Sequence, residues 1–232
     1  MAEKNLDFDT VIDRTHTNSL KYDFAVQRGK PKDVLPLWVA DMDFQVSSYI
    51  QEALSGSVAH GIFGYSEAEG SYFEAVAGWM SRHYGWNVEE TWLVKTPGIV
   101  FALAQAVRAF TEPGDAVLLQ QPVYYPFSQV IRDNGRKIVD NTLVQGEDGR
   151  YRIDFTDFEE KIRSCKVKLF FLCNPHNPVG RVWTKEELLR LGDICEKYGV
   201  IVVSDEIHAD FVFEGSHQVQ AGLKESYRKF VV

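Results

Sequence analysis

The sequence predicts an α/β protein with a three-layer α/β/α domain, in which helices cover both faces of a mostly parallel sheet. Short apolar runs typical of strands alternate along the chain with longer segments that have helical periodicity. These runs are apolar at nearly every position, which is typical of strands buried on both sides. A composition of 45% hydrophobic and 25% charged residues excludes a chain that is disordered throughout.

The chain divides by composition into two parts. Residues 1–45 are rich in charge and in turn formers, so an irregular arm is predicted there. The large domain is predicted over residues 46–232. Its last residues, Phe230-Val231-Val232, are typical of the start of a strand. Because a domain rarely ends inside its own core pattern, we expect the chain to be a fragment, incomplete at its C-terminus.

Two helices are predicted at the start of the large domain. Ser47 and Ser48 can cap a helix that runs to about His60. A second helix is predicted over residues 71–84, because Gly85 follows its last periodic position.

A third helix follows a short strand that is predicted over residues 92–94. Pro97 and Gly98 open this helix. It is apolar nearly all round, which predicts that it is buried.

The rest of the domain continues the alternation. Thr184 and Glu187 have the spacing of a capping box at the start of a helix. The other predicted elements are strands over residues 116–119, 137–141, 168–173 and 200–204, a helix over residues 126–133, and a hairpin tip at residues 146–149.

Charge and composition exclude several classes of function. With 25 Lys and Arg against 33 Asp and Glu, the net charge is −8, which disfavours a nucleic-acid partner. The acidic N-terminus lacks a secretory signal, and no apolar stretch is long enough for a membrane partner. The three cysteines, Cys165, Cys173 and Cys195, lack metal-binding spacing. We therefore predict a cytoplasmic protein with reduced thiols and no metal site.

Four groups of candidate site residues follow predicted strands, at the edge where open parallel sheets bind ligands. The first is Ile99 and Val100, where free backbone N–H groups beside Gly98 can bind a phosphate. A proline and a glycine are also common at an ordinary helix start, so both interpretations stay open.

The second and third groups offer an aromatic face and amide groups. Tyr124 can present its ring to a ligand ring, although a loop tyrosine usually serves packing. Residues 174–180 have the sequence Asn-Pro-His-Asn-Pro-Val-Gly. The two Asn-Pro pairs predict a rigid path from which Asn174 and Asn177 project, or else an elaborate turn.

The fourth group is Asp205 and His208, after the strand over residues 200–204. A carboxylate there is costly to desolvate unless a cation meets it, although a helix-capping Asp is the alternative. His208 alone would more often be structural. Together, the four groups predict a pocket for a phosphorylated, cationic heteroaromatic ring.

Several runs of residues are similar to those of a known family. They are Trp-Val-Ala-Asp-Met-Asp-Phe at residues 38–44, the Gly64-Tyr65 pair, residues 174–180, and Asp-Glu-Ile-His-Ala-Asp at residues 205–210. The chain thereby resembles the class I/II aminotransferase superfamily of fold type I, and within it the C–S β-lyase subgroup that includes cystathionine β-lyases. His208 favours this subgroup, because ordinary aminotransferases more often have tyrosine there. The resemblance implies the cofactor pyridoxal 5'-phosphate.

The resemblance implies roles around the cofactor ring. Asp205 would accept the pyridine N–H and keep the ring nitrogen protonated. Tyr124 would stack on the ring. Asn177, with or without His208, would hydrogen-bond the 3'-oxygen.

The resemblance also implies how the phosphate is held. Ile99 and Val100 would bind it through their backbone N–H groups, and residues 1–45 would contribute to a small domain. Tyr65 would reach the phosphate of the neighbouring subunit, because the family builds shared active sites in a homodimer.

Three groups that family members use would lie beyond Val232. They are the Schiff-base lysine, a basic residue for the phosphate and an arginine for the substrate carboxylate. Lys224 and Lys229 precede the final apolar run, so neither is assigned the catalytic role. We therefore expect the 232-residue chain alone to be inactive.

The implied function is β-elimination of a sulfur group from a small amino-acid substrate such as cystathionine or a cysteine conjugate, yielding pyruvate and ammonia. Transamination is the alternative within enzymes. A non-catalytic regulatory or protein-binding role is the alternative outside them, because one member of the subgroup also represses a transcription activator.

Overall fold

A four-stranded parallel sheet forms the centre of the larger part of the protein. The structure, a computed structural model, describes residues 7–232. The strands of the sheet are β1 (Ala116–Leu119), β2 (Lys137–Asp140), β5 (Leu169–Cys173) and β6 (Ile201–Asp205), in the spatial order β2-β1-β5-β6. The strands β3 (Val144–Gln145) and β4 (Tyr151–Arg152) form the separate hairpin that the glycines at its tip predict.

The chain divides into two compact units, of which the first ends at Glu67 and the second spans Ala68–Val232. The assignment of residues 1–45 to an arm and of residues 46–232 to the large domain stays a prediction. The first unit contains helix α1 (Ser48–His60). Ser47 occupies its N-cap position, but its side chain makes no capping hydrogen bond there.

The second unit has helices on both faces of its sheet, as the sequence predicts: α3 (Ile99–Phe110) and α4 (Pro126–Asp133) on one face, and α5 (Phe155–Cys165) and α6 (Lys185–Tyr198) on the other. Its first helix, α2 (Gly70–Tyr84), has no buried residue. α6 begins with the predicted capping box, in which the Thr184 hydroxyl accepts from the Glu187 N–H and the Glu187 carboxylate accepts from the Thr184 N–H.

Alternate residues of each strand face opposite helix layers, because successive side chains in a strand point to opposite sides. Leu118, Phe170 and Val202 pack in the cluster that includes α5 and α6. Val117, Phe171 and Val203 pack in the cluster that includes α3 and α4. The sheet is therefore the middle of three layers, and residues with the parity of Val203 face α3 and α4.

Two predictions about the segment before the sheet are wrong. Residues 92–94 form no strand, because a 3-10 helix occupies Glu90–Trp92 instead. α3 is buried on one face only, at Leu103, Ala106 and Val107, whereas its first turn is exposed. A helix turns 100° per residue, so an apolar sequence can place only one stripe against a sheet.

The last three residues continue the sheet. Val231 forms a parallel bridge with Val202, and the Val202 N–H donates to the Phe230 carbonyl at 2.8 Å. The Ser204 N–H donates to the Val232 carbonyl at the same distance, 2.8 Å. This pairing confirms that the final apolar run is strand-like and places it beside β6.

Candidate active site

The strand order places a topological switch point between β1 and β5. The chain leaves β1 for β2 through α4, which packs in one helix layer. It leaves β5 for β6 in the opposite direction through α6, which packs in the other layer. Loops that diverge in this way open a crevice outside the carboxyl ends of the strands, where α/β sheets bind ligands.

Asp205 is the last residue of β6, whereas the sequence predicts that it follows the strand. It pairs in register with Cys173 at the end of β5. Cys173 and Val203 both pack in the α3 and α4 layer, so alternation points the Asp205 side chain to that layer too. The predicted carboxylate therefore lies at the carboxyl edge of the sheet, on the side where α3 begins.

The carboxyl group of Asp205 is buried without an ion pair. The residue is 8% exposed, and its pKa is raised mainly by burial. The Ile207 N–H donates to it at 3.2 Å, and the nearby His208 side chain acts in the opposite direction by favouring its charged form. Among residues 7–232, no Lys or Arg forms an ion pair with it. A buried carboxylate in this state suits a ligand that brings its own cationic N–H.

Tyr124 lies between β1 and α4, with its ring partly open to solvent. The residue is 37% exposed, and its ring meets the edge of Phe127 at 6.4 Å between centroids. Its pKa is raised first by burial, then by the charges of Tyr125 and Asp205. Tyr124 and Asp205 are thus close enough to interact, as the prediction of one shared pocket requires.

The loop after β5 separates its two asparagines. Asn174 is fully buried, with its side chain donating to the Gln218 carbonyl at 3.2 Å and accepting from the Trp183 N–H at 3.3 Å. The prediction that it projects from the strand end is therefore wrong, because its amide is satisfied inside the loop. Asn177 is half-buried, and its backbone N–H lies 3.4 Å from the Cys173 sulfur. Its side-chain amide makes no hydrogen bond to any residue that the structure describes.

The first turn of α3 offers free backbone donors. The first hydrogen bond of the helix runs from the Ala102 N–H to the Gly98 carbonyl, at 3.0 Å. No backbone carbonyl within residues 7–232 accepts from the N–H groups of Ile99 and Val100. Gly98 has φ +156° and ψ +161°, a combination that essentially only glycine adopts. A short turn joins α3 to β1 and reverses the chain, so the first turn of α3 lies towards the carboxyl ends of the strands.

Two further candidates differ in how they relate to this edge. His208 is half-buried three residues after Asp205, close enough to interact with the Asp205 carboxyl group. Tyr65 belongs to the first unit, where it is fully exposed in a segment without regular structure. Its implied role at a phosphate stays a prediction.

The two lysines near the C-terminus lie away from the carboxyl edge. Phe230–Val232 runs parallel to β6 from its amino end, so Lys224 and Lys229 come before the strand at the opposite edge of the sheet. Lys224 also forms an ion pair with Asp193 of α6. This position is consistent with the prediction that neither lysine has a catalytic role.

Sequence reasoning gave no role to two buried residues at the edge. Burial raises the pKa of the Cys173 thiol to about 12, so it stays neutral beside Asp205. His176 is 2% exposed and hydrogen-bonds a loop on the other side of the switch point. Its place between two Asn-Pro pairs was the available signal, but no local pattern shows which loop it would meet.

The described residues contain neither a candidate metal centre nor a candidate membrane-spanning helix. No group of three or more His, Cys, Asp or Glu side chains in residues 7–232 is arranged to hold a metal ion. In the same part of the chain, every helix is too short or too polar to cross a membrane.

The chain is similar to proteins of known sequence and structure. A family model described as aminotransferase class I and II matches residues 32–232. Cystathionine β-lyase PatB of Bacillus subtilis (strain 168) is 47% identical over 223 residues, which are 96% of this chain and 57% of PatB. Protein MalY of Escherichia coli (strain K12) is 35% identical over 208 residues, which are 89% of this chain and 53% of MalY.

A solved structure gives the same result. Cystalysin from Treponema denticola, whose crystal structure contains a pyridoxal 5'-phosphate cofactor, matches with a TM-score of 0.91 at 36% identity. The match covers 98% of this chain and 58% of that chain. The chain therefore spans little more than half the length of the proteins to which it is similar.

Proposed function

The chain belongs to the aminotransferase class I and II family, and on this premise we propose that its sheet edge holds the ring and phosphate of pyridoxal 5'-phosphate. The observation that carries the proposal is the Asp205 carboxyl group, which is buried at the end of β6 and forms no ion pair with a Lys or Arg among residues 7–232. A pyridinium N–H would supply the missing partner. When bound, pyridoxal phosphate acts as an electron sink for the charge left at Cα of an amino acid that loses a proton.

The residues at the switch point fit the ring of this cofactor. Asp205 holds a proton at the ring nitrogen, because an ionised carboxylate favours a protonated neighbour. Tyr124 offers a partly exposed aromatic face for stacking. Asn177 has a side-chain amide that is free to donate to the ring's 3'-oxygen, and His208 is a second donor close to Asp205.

The start of α3 fits the phosphate. The free N–H groups of Ile99 and Val100 point away from the helix, and the positive end of the helix dipole favours an anion there. Gly98 leaves open space beside them, because a Cβ built on it would meet no atom within 4 Å. A phosphate can therefore approach the backbone closely.

The reaction that we propose for the full-length protein is elimination of a sulfur group from Cβ of a small amino acid. Support comes from cystathionine β-lyase PatB, to which the chain is 47% identical. His208 supports the same choice, as the resemblance of the sequence implies. No residue of this site is assigned the removal of the proton at Cα, which the resemblance implies is the role of a Schiff-base lysine.

We also propose a homodimer in which Tyr65 of one protomer reaches the phosphate bound by its partner. The support is the full exposure of the Tyr65 ring in a segment without regular structure. An exposed tyrosine of this kind is well suited to an interface, since it has one apolar and one polar end.

The deciding assay measures pyruvate from L-cystathionine, with the full-length gene product and added pyridoxal phosphate but no keto acid. We expect pyruvate to form, and we expect none from L-alanine, which lacks a leaving group at Cβ. Turnover that depends strictly on a keto acid would contradict the lyase and favour transamination, which the name of the matching family also supports.

A further inference from the structure

We propose that His176 is a positioning residue, which fixes the loop carrying Tyr124 relative to the loop carrying Asn177 and thereby sets the affinity for the cofactor. This inference rests on the proposed function, because it concerns the same ring site. His176 itself contacts neither the ring nor the phosphate in this proposal. It acts through the two residues that do.

His176 joins the two loops directly. Its Nε2 atom lies 2.9 Å from the Pro122 carbonyl oxygen, 54 residues away in sequence. Pro122 is two residues before Tyr124, and His176 is one residue before Asn177. The imidazole also lies close enough to the Gln120 backbone to interact with it, so its contacts with residues 120–126 extend beyond Pro122.

The sheet alone does not hold these loops together. β1 and β5 are in register only at Val117 with Leu169 and at Leu118 with Phe170. Beyond those pairs β1 stays paired with β2 and β5 stays paired with β6, and the loops that follow lead to helices in opposite layers, as at a switch point. The link through His176 therefore spans the place where the two loops diverge.

The link is rigid because the His176 backbone is fixed as well. Its N–H donates to the Arg181 carbonyl at 2.7 Å, and its carbonyl accepts from the Gly180 N–H at 2.9 Å. The Trp183 ring meets the imidazole edge to face, with 5.5 Å between centroids. A displaced imidazole would have to break these contacts.

The protonation state of His176 is also defined. Burial lowers its pKa, which keeps the ring neutral at pH 7. For the contact between Nε2 and the Pro122 carbonyl to be a hydrogen bond, the ring proton must lie on Nε2, because a carbonyl can only accept. Nδ1 is buried and has no hydrogen-bond partner within residues 7–232. A side chain that places one donor at the position of Nε2 should therefore preserve the hydrogen bond to the Pro122 carbonyl.

The test compares two variants of the full-length protein in their equilibrium affinity for pyridoxal phosphate, measured by quenching of tryptophan fluorescence. His176→Gln keeps an amide donor close to the position of Nε2 and should bind within about threefold of the wild type. His176→Leu fills similar space without a donor and should bind about tenfold more weakly, the effect of one lost hydrogen bond.

A double variant separates positioning from general damage. If His176 acts through Tyr124, the His176→Leu change should weaken binding much less in a Tyr124→Ala background, because the stacking residue is already gone. Fully additive losses would overturn the proposal. Should His176→Leu fail to fold, His176→Asn replaces it, because the shorter Asn side chain does not reach the Pro122 carbonyl.

The controls distinguish the two proposals. A wild-type protein that does not bind pyridoxal phosphate would refute the proposed function. A wild type that binds it, together with a His176→Leu or His176→Asn variant that binds equally well, would overturn only the role of His176.

Discussion

The buried carboxyl group of Asp205 has a measurable effect on the cofactor-free protein. Its pKa is raised in the folded state above the ordinary value of 3.8. The folded state therefore binds the proton more tightly than the unfolded state, and stability falls as the pH rises between the two pKa values. Above that window the ionised group destabilises the fold by a constant amount.

Asp205→Asn should consequently raise the free energy of unfolding of the cofactor-free protein by roughly 1 kcal/mol at pH 7. Replacing a destabilising residue of a functional site commonly stabilises a protein by about this amount. The gain should shrink as the pH approaches 4, which urea denaturation at several pH values would reveal. Asp193→Asn is the matched control, because its pKa is lowered by Lys224 and its replacement should lower stability instead. Equal behaviour of the two variants would contradict the account of Asp205.

Tyr124 should matter for binding through its aromatic face alone. Its hydroxyl makes no hydrogen bond to the described residues, so Tyr124→Phe should bind pyridoxal phosphate nearly as well as the wild type. Tyr124→Ala should bind about two- to tenfold more weakly, because stacking contributes about 0.5–1.5 kcal/mol. Equilibrium titration would decide the matter, and an alanine variant with unchanged affinity would remove Tyr124 from the site.

At the scale of the element, the start of α3 depends on the backbone of Gly98. A side chain there meets no neighbouring atom, but φ +156° strains any residue other than glycine. Gly98→Ala should therefore cost about 1–3 kcal/mol of stability or distort the first turn, and in both cases weaken binding of pyridoxal phosphate.

The control for this prediction is Gly70→Ala at the first position of α2. Gly70 also has open space around its Cα, and it lacks a positive φ. Alanine should be tolerated there or be slightly stabilising. Similar losses in both variants would mean that the conformation of Gly98 has no special role.

Elements with strong local signals could be predicted from the sequence, and weak ones could not. The capping box of Thr184 and Glu187 and the left-handed Gly85 mark helix ends that the structure reproduces. The strand expected over residues 92–94 is absent from the described chain, because three apolar residues carry no period. Helix α5 was missed, although Asp154 caps it and Phe158 and Ile162 mark its buried face.

At the scale of the whole molecule, the site depends on topology that no local pattern contains. The sequence predicts that Tyr124, Asn177 and Asp205 follow strands, and the strand order brings their loops to one edge of the sheet. The sequence does not show which of Asn174 and Asn177 is free to bind a ligand. Only the folded loop shows that the Asn174 amide hydrogen-bonds Gln218 and Trp183. The partner of His176 was equally hidden, because Pro122 is 54 residues away in sequence.

The central proposal is that the carboxyl edge of this sheet, where Asp205 ends β6, binds the cofactor of a C–S lyase. The most direct measurement is turnover of L-cystathionine by full-length Asp205→Ala beside full-length Asp193→Ala, each saturated with pyridoxal phosphate. We predict that Asp205→Ala loses roughly a hundredfold or more in turnover, because the carboxylate that keeps the ring nitrogen protonated is gone. Asp193→Ala removes a carboxylate of α6 that pairs with Lys224, and its turnover should stay within about threefold of the wild type. A near-normal rate in Asp205→Ala would contradict the account.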